Sequence, residues 1–146
     1  MTRNINIFNK LIIFSVLIIT NFTLFSCANQ KSLTCKQIKT LVTDLSAKIE
    51  PALASDNVVE IKAIAQEFEM TSEKLLQIET NDDFLSQSTE NLASTYREYG
   101  EVTSDFLQAF TTKNTENAIA SKQAVNQLFT KQQQLVHEIN DYCYPP

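Results

Sequence analysis

The sequence predicts an all-α protein: an up-down-up-down four-helix bundle behind an N-terminal signal segment. Three observations predict it. Apolar residues recur at three- and four-residue spacing along most of residues 33–143, the period of an amphipathic helix. Strands are not indicated, because period-2 alternation is almost missing and a lone glycine, Gly100, leaves no Gly-rich hairpin turn. The breaks between periodic runs are short, so consecutive helices pack as antiparallel neighbours. The 146 residues make one ordinary domain. The roughly 120 that follow the signal suffice to bury a core.

The chain divides into a signal peptide over 1–26, a tether over 27–32 and a bundle domain over 33–146. Arg3 and Lys10 form a positive n-region ahead of an apolar run from Leu11 to Ile19. A membrane span wants about 20 apolar residues, and Thr20, Asn21 and Thr23 interrupt this run early. A cleaved signal therefore fits better than an uncleaved anchor. Leu24-Phe25-Ser26-Cys27 follows, with Leu at −3, a small residue at −1 and Cys at +1. These four residues resemble the lipobox of bacterial lipoproteins, although Phe25 is larger than the residue usual at −2. The resemblance implies a diacylglycerol thioether on Cys27, cleavage before it, and acylation of the new amino group. Two or three acyl chains hold a protein on a membrane where one does so only marginally. Ser26-Cys27-Ala28 also fits ordinary signal cleavage, which would discard Cys27 and release a soluble protein. If Cys27 is lipidated, a tether of about six residues reaches at most ~20 Å, so the domain sits close to the bilayer.

The first helical stripe is Cys35, Ile38, Leu41, Val42, Leu45, Ile49 and Ala52, with Ser32 as N-cap and Pro51 ending or kinking the helix. After a break at Ser55-Asp56-Asn57, with Asn57 and Glu60 as a capping-box variant, the second stripe runs Val58, Ile61, Ile64, Ala65, Phe68, Ser72, Leu75, Ile78. Thr80-Asn81-Asp82-Asp83 is the next break, its aspartates placed for a helix start. The third stripe is Leu85, Leu92, Tyr96, Tyr99, Val102, Phe106, Ala109, Phe110, and Thr112-Lys113-Asn114 makes the last turn. The fourth is Ala118, Ser121, Val125, Leu128, Gln132, Leu135, Val136, Ile139, Cys143, before Pro145-Pro146.

Three cysteines leave one over if two pair. Lipidation takes Cys27. Cys35 and Cys143 then fall on core-facing stripes at the start of the first helix and the end of the fourth, which the up-down-up-down topology places at the same end. A Cys35–Cys143 disulfide is expected, suited to an oxidising compartment. It would be worth ~4–5 kcal/mol in the chain-entropy model.

Composition excludes much and names little. Residues 27–146 carry 10 basic and 17 acidic groups, so nucleic acid is not an expected partner. One glycine rules out Gly-rich phosphate loops, and one histidine, His137, rules out clustered His metal sites. No cofactor and no metal site is expected. His137 lies about 160° around the helix from Ile139 and so faces solvent near Asp141. Glu98, Glu101 and Asp105 form an acidic row that reads as a solvated face, as do Glu67, Glu69 and Glu73. Gly100 costs roughly 1 kcal/mol inside a helix, so it marks either close helix packing or, with Tyr96 and Tyr99, a ligand cleft between the second and third helices.

Leu33-Thr34-Cys35-Lys36-Gln37 resembles one copy of the Leu-Thr-x-x-Gln repeat that small periplasmic stress chaperones of the Spy type carry twice. The expected architecture is also similar to the lipidated extrinsic four-helix subunits of cyanobacterial photosystem II, in fold alone. That likeness implies accessory packing on a membrane complex. The resulting expectation is a non-catalytic, membrane-anchored helical binding or scaffold module of the bacterial cell envelope, facing an oxidising compartment. Its anchor is the lipid and its protein partner is unidentified. The alternative is a periplasmic or lumenal ligand-binding or sensory bundle, or an accessory subunit of a membrane complex.

Overall fold

The computed structural model describes residues 30–51 and 58–145. The signal, the lipobox with Cys27, Ala52, the Ser55-Asp56-Asn57 break and Pro146 lie outside the described residues. Four helices and no strand occur among them: α1 over 30–51, α2 Val58–Leu76, α3 Asp83–Thr111 and α4 Thr115–Cys143. α2 packs on α3 and α3 on α4. α1 closes the bundle, joined to α4 by the Cys35–Cys143 disulfide and to α2 by a 2.7 Å Lys48–Glu67 ion pair.

The helix ends follow from local chemistry. Asp82 caps α3, its carboxylate accepting from the Leu85 N–H at 3.0 Å, and Asn114 caps α4 by accepting from the Asn117 N–H at 3.1 Å. α3 stops in a Schellman-type turn. The Asn114 N–H donates to the Ala109 carbonyl, the Lys113 N–H donates to the Phe110 carbonyl, and Lys113 holds φ at 58°. α1 starts earlier than expected. Residues 30–32, read from sequence as tether, are helical, and Ser32 lies inside the helix instead of capping it. Lys31 gives the extra turn a partner, its Nζ 3.6 Å from the centre of the Tyr142 ring.

The core is tightest toward the disulfide. Ile38, Leu75, Leu85, Leu92 and Tyr96 are buried there, and Ile78, just past the end of α2, packs against them. Toward the opposite end the stripe residues Ile49, Ile61, Val102, Phe106 and Val125 are only half-buried. The first half of α4 turns Ala118, Ser121 and Ala124 inward, short side chains that fill little space. Val58 and Phe110, expected in the core, are exposed at this end, Phe110 by 60%. Phe110 sits in the last turn of α3 and keeps one ring neighbour, Phe106, at 6.2 Å.

α2 and α3 approach closely at Gly100. A β-carbon there would lie 3.1 Å from the Ala65 carbonyl oxygen and 2.9 Å from Glu69 Cγ. Two turns away the Ser72 hydroxyl donates 2.7 Å to the Ala93 carbonyl, a polar stitch that close approach permits.

Candidate functional site: a stapled end and an open cleft

At the stapled end the start of α1, the α2–α3 turn and the end of α4 meet on one side chain, Tyr142. Its hydroxyl donates 2.7 Å to Asp82, the capping residue of α3. Its ring lies 4.2 Å from that of Phe84, and Lys31 sits over the ring. Burial opposes charge on Asp82, but the Tyr142 hydroxyl, the Leu85 and Phe84 N–H groups and the Lys31 charge outweigh it. Together they hold the carboxyl below its ordinary value. The same hydrogen bond, with some burial, pushes the Tyr142 phenol up. Beside this cluster lies the disulfide, with Cα atoms 5.8 Å apart. Lys39 approaches the Tyr144 ring at 5.3 Å, completing an end held by covalent, aromatic and polar contacts.

In the other half of the bundle a cleft of about 640 Å³ opens between all four helices. Its residues arise from helical spacing on each: Ser46, Ile49 and Glu50 on α1; Ile61, Ile64 and Phe68 on α2; Tyr99, Thr103 and Phe106 on α3; Val125, Asn126, Phe129 and Gln132 on α4. Phe68 stacks on Tyr99 with ring centres 4.6 Å apart and planes 9° from parallel. Stacked on each other and buried, the two rings close the inner wall of the cleft. Burial pushes the Tyr99 phenol up to about 12, so at physiological pH it is a neutral hydrogen-bonding group. The volume falls in the range of small-molecule pockets, with mostly apolar walls, a few neutral polar groups and one exposed carboxylate, Glu50.

The residues singled out from sequence separate in the structure. Cys35 and Cys143 are bonded. Tyr99 lines the cleft, which all four helices form, not α2 and α3 alone. Tyr96 lies in the core, accepting 3.4 Å from the Gln132 amide, with its phenol pushed up chiefly by burial. Gly100 lies at the α2–α3 contact, where it serves packing. His137 is 76% exposed, its Nε2 3.5 Å from Asp141. Within the acidic row Glu98 is held by Lys131 of α4 at 3.2 Å, a partner that sequence spacing did not indicate. Phe129 was missed because it neighbours Leu128 and lies off the main stripe; the spacing Val125, Phe129, Gln132 was its only signal.

Among the described residues no three His, Cys, Asp or Glu side chains gather into a metal-binding group. None of the described helices is long and apolar enough to cross a membrane. No protein family, curated protein or solved structure matches this chain.

Proposed function

We propose that the protein is a membrane-anchored lipoprotein of the bacterial envelope, a non-catalytic helical module that works by binding. The observation that carries this reading is the Cys35–Cys143 disulfide, which gathers the start of α1 and the end of α4 at one end of the bundle. Helix α1 is already formed at residue 30, three residues beyond Cys27. A lipid on Cys27 would then stand within about 10 Å of the stapled end. A disulfide is in keeping with export to an oxidising compartment. The cleft points to the kind of binding. Scaffolding on a protein would call for a continuous apolar surface, whereas a walled cleft with neutral polar groups suits a small ligand, which favours the ligand-binding alternative.

The test is the intact mass of protein extracted from membranes without reductant. The expected species begins at Cys27 and carries a diacylglycerol, with or without an amide-linked chain. An unmodified product beginning at Asn29 ends the lipoprotein reading.

A further inference from the structure

The chemistry of the cleft narrows what it takes. Tyr99 is 5% exposed, yet its hydroxyl has no hydrogen-bond partner among the described residues. No side-chain nitrogen or oxygen among them is sealed from solvent without a partner, so this hydroxyl keeps an open face, and the open space beside Tyr99 is the cleft. A hydroxyl so placed meets solvent at the edge of an apolar wall, and a ligand that displaces this solvent must supply an acceptor or leave the hydroxyl unsatisfied. The stacked Phe68–Tyr99 pair backs a space also bordered by the half-buried Phe106 and the exposed Phe129, a lining rich in rings that suits an aromatic guest.

Charge excludes the ionic alternatives. No lysine, arginine or histidine among the described residues lines the cleft, and the chain carries a formal charge of −5, so an anion would enter without a counter-charge. Its one carboxylate, Glu50, is solvent-exposed, so it cannot offset the desolvation of a cation held against the rings. We infer that the cleft is a site for an uncharged aromatic small molecule bearing a hydrogen-bond acceptor, which packs among the cleft's rings and accepts from the Tyr99 hydroxyl. This rests on the binding-module reading and gives it a ligand class.

The probe is benzophenone, uncharged, with two rings and one carbonyl acceptor, photolysed on the full chain in its own membranes. Diphenylmethane, with the same rings and no carbonyl, serves as competitor. Insertion is expected at cleft residues of α2, α3 and α4, saturable and blocked by excess diphenylmethane. Tyr99→Phe should weaken benzophenone about 3–10-fold, the worth of one hydrogen bond, and leave diphenylmethane competition unchanged. Val125→Trp, placing an indole in the space, should abolish saturable insertion while cooperative melting persists. Insertion spread over exposed apolar residues such as Leu33, Met70 and Leu76 without saturation overturns the inference. So does equal binding of benzophenone by wild type and Tyr99→Phe, or stronger competition by tetraphenylphosphonium than by diphenylmethane. Labelling that appears only on dilution would assign the cleft to a second copy and overturn it as well. The intact mass of the same sample separates the two claims. Acylated protein without cleft labelling defeats the ligand class alone, and unacylated protein with labelling defeats the anchor alone.

Discussion

Removing the disulfide is the perturbation whose size the structure fixes best. Cys35 and Cys143 are 108 residues apart, so the bond closes nearly the whole bundle into one loop. In the chain-entropy model a closure of this length restricts the denatured chain by about 4.8 kcal/mol at 25 °C. The folded ends should stay together without it, because Lys31, Tyr142, Phe84 and Asp82 hold the same corner by other contacts. The loss therefore comes through the unfolded state. For a bundle of roughly 115 residues, an unfolding entropy of about 2.1 cal/mol/K per residue turns it into a fall in Tm of about 15–20 °C. Alanine suits both positions, since Cys35 is buried and a serine would bring in a hydroxyl. The assay is thermal unfolding by far-ultraviolet circular dichroism, comparing wild type, wild type with reductant, and Cys35→Ala/Cys143→Ala. Reduced wild type and the double variant should melt together, with native helicity unchanged before the transition. A fall under about 5 °C, or a large drop in helicity at low temperature, would refute the reasoning.

Other substitutions probe separate links. At Gly100, alanine gains about 1 kcal/mol of helix propensity against roughly 1–3 kcal/mol of overpacking on Ala65, so Gly100→Ala should cost about 1 kcal/mol and Gly100→Leu about 3, read by urea unfolding. Lys113 occupies the left-handed position where glycine carries no strain, so Lys113→Gly should raise stability by about 0.5–1 kcal/mol in the same assay. Asp82 has a depressed folded-state value, so its contribution is full above the ordinary 3.8 and fades as pH falls through the lower folded value. In Asp82→Asn, which keeps the cap acceptor, stability should lose that acid-side component, and the gap to wild type should narrow below pH 4, measured by denaturant midpoints across the acid range.

Much of the bundle was legible because helical period and thiol chemistry are carried by side-chain type. Cys35, Ile38 and Leu45 on α1, and Leu128 and Ile139 on α4, face the core as their spacing requires. The Asp82 cap and the Thr112-Lys113-Asn114 turn were readable for a similar reason, since a short polar side chain or a break in period has one local outcome. What escaped depends on neighbours. Nothing local to Gln30 and Lys31 shows that Tyr142, more than a hundred residues on, will give the first turn a partner. Phe110 keeps the period of its stripe yet is exposed in the last turn of α3. Thr34, Thr71 and Thr95 are buried although polar, because helix packing, not hydropathy, decides their surroundings. The cleft was visible only through Tyr99, since it is a space that residues of all four helices enclose together, and a void leaves no residue of its own in a sequence.

The most direct measurement is paramagnetic broadening of amide signals from the full chain in bilayer nanodiscs by a lipid spin-labelled at its headgroup. With α4 spanning 29 residues, its two ends lie about 43 Å apart, well beyond the range over which a headgroup label acts on both. Broadening should fall on residues 30–39 and 140–144 around the disulfide and spare the α3–α4 turn at Thr112, Lys113 and Asn114. Strong broadening at that turn, or none anywhere, would contradict a bundle held at the membrane by its stapled end.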